Sequence, residues 1–403
     1  MTDWKTLLAV PRFRALWIAL LCVNLGSWSV MAALPILVAD RYGAGGALVM
    51  SLGWRILPKI LLAPVSGVLL RRFGAPLVAG GALATEAVLT AILPWCEDFV
   101  LLQCAIAGIG TLDVFVMPGL LSLRSAVTPQ GFELAGNLLC SIADRLGKTV
   151  GPAIGGLAVL AGFGPAFLGF GIAIGLAALP VARLPRPVRG DGAPASRARA
   201  LPGEFFRMVR DDRVLQGLLI CAVSYMVQIG GLRPFLFWAN REWFGAADTA
   251  WTGLMAAQGA GAMIGALAAG TFNRALLRRA SAYRLTMIAG ILEGLCGLTL
   301  LVCPSAWLAM TILAIAGIPE TVSNATWFTA MQQRLSPERQ GIFFAFSAPL
   351  WDCAFAVGVM SAGFHAGGML ALGPWWAMLV LIATVPIVPL LVWDARRSLT
   401  GRG

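Results

Sequence analysis

The sequence predicts an all-α membrane protein in which twelve transmembrane helices form two pseudo-symmetric six-helix bundles. Three observations predict it. Only 12% of the 403 residues are charged and 59% are hydrophobic, with a mean hydropathy of +0.81. A soluble chain carries about 25% charged residues, so the bilayer is the expected solvent. Apolar runs of about 20 residues, the length that crosses the hydrocarbon core, recur as six, a gap and six more. Finally, the two sets of six repeat one another in sequence.

In chain order, the first run is 13–39, uncharged from Ala15 to Ala39 and too long for the apolar part of a cleaved signal. The second, 47–70, carries Arg55 and Lys59. The third, 75–95, carries Glu86, and the fourth, 98–123, carries Asp113. The fifth, 133–160, carries Asp144, Arg145 and Lys148, and the sixth, 164–182, is free of charge. A polar tether, 183–213, follows; it is rich in Pro, Gly and Arg, and its GEFFRMVRDDRVL segment reads as an interfacial helix or a solvated one. Spans seven to twelve are 214–239 with Arg233, 250–273, 282–303 with Glu293, 306–333 with Glu320, 340–366 with Asp352, and 370–394. The expected domains are therefore 1–182 and 214–403, joined by a cytoplasmic linker at 183–213.

Basic residues orient this array. With the N-terminus inside, 23 of the 30 Lys and Arg fall in inside segments, and only Arg41 and Arg241 fall in outside loops. Both termini are expected in the cytoplasm. The +11 net charge is thereby a matter of topology and implies no nucleic-acid partner. The eight cysteines lie in or beside apolar segments without a CxxC and read as small packing residues.

Sliding the sequence by 207 residues superposes Glu86 on Glu293, Cys96 on Cys303, Gly110 on Gly317 and Asp113 on Glu320. A slide of 208 superposes Asp144 on Asp352 and Thr128-Pro129 on Ser336-Pro337. Three intramembrane acids recur at nearly one offset, the pattern of a transporter built from two repeats about a midplane site.

The fifth span contains LGKTVGPAIGG. Gly147, Gly151 and Gly155 line one helix face, Gly156 adjoins it, and Pro152 removes a backbone donor and bends the helix. On physics alone this is a helix-packing surface. It also resembles the GxxxGPxxGG core of the antiporter motif of the major facilitator superfamily, with Leu138 where the wider motif has glycine. The loop GVLLRRFG resembles that superfamily's GxxxDRxG: Gly67, Arg72 and Gly74 are in place, while Arg71 stands where Asp is usual. The resemblance implies a cytoplasmic gate there whose carboxylate is missing; a positive-inside turn is the other reading. More diffusely, FRALWIALLCVNLGSWSVMAALPILV, RILPKILLAPVSGVLL and RMVRDDRVLQGLLI resemble the branch of enterobactin exporters and macrolide efflux proteins. That resemblance implies a bacterial cytoplasmic membrane protein that expels siderophores or amphiphilic drugs against protons.

A charge at the centre of a membrane helix costs about 2.5–3.5 kcal/mol on insertion scales, so the eleven near-buried ones, set in from the span ends, should face one another or a wet cavity. The resemblance places spans 1, 4, 7 and 10 around the cavity, which puts Asp113 and Glu320 on its wall as candidate proton-coupling carboxylates; permanently paired structural acids are the alternative. Arg55 and Lys59 share one helix face and need acids, Asp113 among them, or an anionic substrate. Asp144 and Lys148 read as an internal salt bridge, with Arg145 pointing elsewhere. Asp352 is the matching acid of span 11, and Arg233 is a candidate for an outer gate. Glu86 and Glu293, on peripheral helices, read as structural. The spans of the first half sum to +1 and those of the second to −2, which suits a zwitterion, or an anion moving against protons.

Of the 14 tryptophans, Trp28, Trp54, Trp251, Trp327 and Trp351 lie deep enough to form an aromatic wall or to serve as core. Gln258, Asn324 and Gln332 add neutral hydrogen-bonding groups. The single histidine, His365, falls at an outer span end, and HExxH, GxSxG and P-loop motifs are absent, so the sequence points away from an enzyme, a metal site and a cofactor. The expectation is a monomeric secondary transporter exporting a small organic molecule by alternating access, with an importer or lipid flippase of the same fold, or a membrane sensor, as alternatives.

Overall fold

The computed structural model describes residues 3–129, 132–185 and 202–399. The first six-helix set consists of α1 (Asp3–Ala9), which precedes the spans, α2 (Pro11–Tyr42), α3 (Gly46–Phe73), α4 (Ala75–Ile92), α5 (Phe99–Val127), α6 (Glu133–Val159) and α7 (Phe163–Ala182). α8 (Pro202–Asp211) leads into α9 (Arg213–Glu242), α10 (Ala250–Arg279), α11 (Ala282–Thr299), α12 (Ala306–Arg334), α13 (Pro337–Ser361), α14 (Gly363–Ala366), α15 (Leu372–Thr384) and α16 (Ile387–Leu399). Most of the tether, 186–201, lies outside the described residues.

Among the described residues, nine helices are long and apolar enough to cross a membrane. α3, α6 and α10, of 28, 27 and 30 residues, complete twelve. Where one twelfth run was expected, Pro386 lacks the N–H that would continue the helix, and the run is divided into α15 and α16.

Local structure repeats at the offset seen in sequence. Asp98 caps α5 by accepting the Leu101 N–H at 2.9 Å, and Ser305, 207 positions on, caps α12 by accepting the Leu308 N–H at 3.4 Å. The spans that precede these caps both finish in a single 3₁₀ turn, Leu93–Trp95 and Leu300–Val302.

The chain forms two compact units, Met1–Gly190 with Ala247–Gly259, and Asp191–Ala246 with Ala260–Gly403. In the first, α2 packs on α6 and α7, and α4 on α5 and α7. In the second, α9 packs on α13 and α15, and α11 on α12 and α15, so the same partnerships recur between equivalent helices. Small residues permit the close crossings. A Cβ on Gly155 would stand 2.6 Å from the Ser29 carbonyl oxygen, and one on Gly151 2.6 Å from the Trp28 Cβ; Ser29 Oγ donates to the Gly151 carbonyl at 2.9 Å. The fifth-span glycines are thus the seat of α2. Apolar side chains such as Val302 and Trp307, 81% and 80% exposed, cover the periphery, as lipid contact requires. α8 docks on the second unit through buried Phe205, whose ring lies 5.7 Å from Phe343 and 5.5 Å from Phe346, while Phe206 remains exposed.

Candidate functional site

Each unit holds its own buried constellation. In the first, α3 and α5 approach so closely that any side chain at Gly110 would strike the Arg55 carbonyl. That crossing sets Arg55 and Lys59, one turn apart, against Asp113. Lys59 Nζ lies 2.7 Å and Arg55 Nε 3.8 Å from Asp113 Oδ2. Gln103 reinforces the crossing by donating to Ser51 Oγ at 2.8 Å. Arg55 is 5% exposed, and its Nε and Nη1 have no hydrogen-bond partner; neither does Oε2 of fully buried Glu86 on α4. Glu86 stands in the electrostatic field of Asp113, Arg55 and Lys59, so two acids answer two cations in one apolar setting. Charges buried this way cost more to unpair than to keep together.

Also in the first unit, Lys148 and Asp144 pair at 3.2 Å, both partly exposed, and Lys148 sits 5.7 Å above the Trp28 ring. Gly147 abuts Asn24, and Gly156 abuts Thr252. Trp251 is buried and donates from Nε1 to the Ala32 carbonyl at 3.0 Å, and Gln258 is half-buried on α10. Arg145 is half-buried on α6, Trp54 is 40% exposed, and exposed Arg72 stacks on Phe73. Gly74 ends α3 with φ 90°, a left-handed conformation natural to glycine. The Arg71 side chain and the surroundings of Gly67 lie outside the described residues.

In the second unit the main feature is a cavity of about 110 Å³ between α9, α12 and α13. Tyr225, Glu320, Asn324, Trp327, Phe328 and Trp351 are on its wall. Trp327 is anchored by its indole N–H to the Leu218 carbonyl at 2.8 Å and meets Trp351 edge-on with centroids 5.5 Å apart. Tyr225 donates its hydroxyl proton to Glu320 Oε1 at 3.1 Å. A second, smaller cavity of about 10 Å³ shares Cys221, Tyr225 and Ser323 with the first and adds Ser224, Gln228 and Glu293. Arg233 places its guanidinium 5.7 Å from the Phe355 ring centroid, and Asp352 is half-buried on α13. At one span end, His365 Nε2 contacts Glu242 Oε1 at 2.9 Å, and the ring lies edge-on to Trp238.

The structure therefore brings together Arg55, Lys59 and Asp113 in one unit, and Glu320, Trp327 and Trp351 in the other. It adds Tyr225, which sequence reasoning missed. A signal existed: the chain has three tyrosines, and one set in mid-span needs a partner for its hydroxyl. Cys221 and Ser323 gave no such signal.

A family model described as Major Facilitator Superfamily matches residues 16–371. Among solved structures, a bacterial homolog of the human lysosomal transporter Spinster, in an inward-facing and unoccupied conformation, is similar with TM-score 0.65 and 16% identity over 96% of each chain. The nucleoside transporter NupG gives 0.69 and 13% over 95% of this chain and 98% of its own. The human organic anion transporter MFSD10 gives 0.67 and 15% over 94% and 99%. No curated protein matches the chain in sequence.

Proposed function

The chain belongs to the Major Facilitator Superfamily, a family of secondary transporters, and from that membership we propose proton-coupled export of a small organic molecule, a siderophore or an amphiphilic drug. The observation that carries the proposal is the cavity of the second unit. Glu320 shares its wall with Trp327, Phe328 and Trp351, so an ionisable carboxylate and an aromatic surface for an amphiphile meet in one volume. Protonation of Glu320 then competes with a ligand for the same charge and hydrogen bonds, which is the requirement for exchange. Asp113 has a different setting. It answers Lys59 and Arg55 and holds α3 to α5, leaving Glu320 as the principal coupling carboxylate. Asp144 and Asp352 are repeat-related second candidates.

The export direction is supported by the fifth-span likeness to the antiporter motif and by the branch resemblance noted above. One charge crossing about 100 mV supplies about 2.3 kcal/mol, before a pH gradient is counted. On this reading the protein is a monomer of a bacterial cytoplasmic membrane with both termini inside, the orientation being supported by the basic residues of the inside segments.

Inside-out vesicles with an imposed proton gradient test the reading. Ethidium or enterobactin should accumulate, a protonophore should abolish the accumulation, and Glu320→Gln should lose it while retaining exchange of labelled for unlabelled probe. Accumulation that survives the protonophore would overturn proton coupling, and unchanged driven flux in Glu320→Gln would overturn the residue assignment.

A further inference from the structure

The two units carry the same pair of acids in different company. In the first, Glu86 on α4 lies near Asp113 on α5, together with Arg55 and Lys59. In the second, Glu293 on α11 and Glu320 on α12 occupy the positions 207 residues on, while the counterparts of Arg55 and Lys59 are Ala262 and Ala266. The repeat therefore keeps the carboxylates and discards the two cations. Thr321 Oγ1 donates instead to the Ala262 carbonyl at 2.9 Å, tying α12 to α10 where Arg55 stands in the first unit.

Tyr225 connects what remains. Its hydroxyl donates to Glu320 Oε1 at 3.1 Å, and its side chain is part of the wall common to both cavities. On the far side lies Glu293, 8% exposed and without a hydrogen bond among the described residues, facing a space of about 10 Å³. A volume of that size holds about one water. The titratable groups around Glu293 are Tyr225 and Cys221 on α9, Cys296 on its own helix and Glu320 on α12. From α15 comes the neutral Thr384 hydroxyl, over Gly294. Arg233, on the helix of Tyr225, contributes positive field to the phenol.

We infer that Glu293 is a second proton-exchange site, joined to Glu320 through the Tyr225 hydroxyl. This rests on the proton-coupled reading of the same unit and extends it to a carboxylate behind the ligand cavity. The step balances without a co-reactant. Protonated Glu293 gives its proton to a water in the small cavity, that water protonates the Tyr225 oxygen, and Tyr225 passes its own proton to the Glu320 carboxylate. Tyr225 ends neutral, Glu293 ends ionised and Glu320 ends protonated; run in reverse, ligand entry at Glu320 returns the proton to Glu293 without releasing it.

Infrared pH-difference spectra of the reconstituted full chain test this without any substrate. Wild type should show carbonyl bands of two protonated carboxylic acids, of which Glu293→Gln and Glu320→Gln each remove one. Tyr225→Phe should keep both bands but slow the exchange between them, and in ethidium-loaded inside-out vesicles it should lower driven accumulation by a larger factor than it lowers counterflow. If Glu293→Gln leaves the spectra and driven accumulation unchanged, the inference is overturned. If Glu293→Gln does not fold, normal exchange and accumulation in Tyr225→Phe overturn it equally. A wild type that shows the two bands but no driven accumulation of ethidium or enterobactin would instead sink the export reading and leave Glu293 as a proton site.

Discussion

At the residue scale, the informative side chains are those the bilayer should exclude. Asp113 and Asp144 are both acids paired with lysine, yet their surroundings differ: Asp113 and Arg55 are secluded at 14% and 6% exposure, with Lys59 reaching them from a half-buried position, and Asp144 pairs with Lys148 at 43% and 39% exposure. Removing one partner of a buried ion pair leaves the other charge stranded at a cost of about 3–5 kcal/mol, whereas an exposed pair contributes about 0–1 kcal/mol. Asp113→Asn should therefore lower the thermal unfolding midpoint markedly, Asp144→Asn should barely change it, and adding Lys59→Gln to Asp113→Asn should restore part of the loss. Thermal unfolding in detergent, followed by tryptophan fluorescence, checks the order. Equal midpoints for the two single variants would show that Asp113 is not a structural tie. These acids were legible in the sequence because a charge within an apolar span stands out against its background. Tyr225, Cys221 and Ser323 were not, since each is compatible with a membrane helix and acquires its meaning only from where α9 meets α11 and α12.

At the element scale, the fifth-span motif acts through shape. Gly147, Gly151 and Gly155 put the backbone of α6 against Asn24, Trp28 and Ser29 of α2, with a Cβ at Gly155 only 2.6 Å from a carbonyl oxygen. Backbone atoms cannot rotate away, so Gly155→Leu should separate the helices and destabilise the first unit by about 1–3 kcal/mol, as overpacking does. Gly81→Ala, at a position with nothing within 4 Å, serves as control and should match wild type in yield of monodisperse protein. A Gly155→Leu protein with wild-type midpoint would refute the packing role. The spacing of these glycines showed which face would pack, but not on which helix, because a motif names its own surface and leaves the partner to the fold. Pro386 shows the converse limit: hydropathy runs smoothly through 370–394, while the missing N–H divides the run into α15 and α16.

At the scale of the whole molecule, the twelve spans and their repeat were readable because hydrocarbon leaves backbone polar groups few solutions, and the helix is the one that apolar runs of this length permit. The repeat then recurs in caps, in 3₁₀ turns and in helix partnerships, three features under separate local control. What the repeat does not preserve is the two cations, and on the proposed reading that asymmetry divides the work: Arg55 and Lys59 make the first unit a neutralised brace, and Ala262 and Ala266 leave the second with carboxylates beside a cavity. The proposed orientation rests on the uneven basic residues, 23 of 30 falling in the segments expected inside. In a cysteine-free background, a cysteine at Asp248, in the loop before α10, should react with a membrane-impermeant maleimide in intact cells. One at Arg197, in the tether, should react only after the membrane is opened. The reverse pattern would invert the topology and, with it, the side from which Glu320 first meets its ligand. An exporter requires that side to be the cytoplasm, so the labelling experiment constrains the transport direction before any substrate is identified.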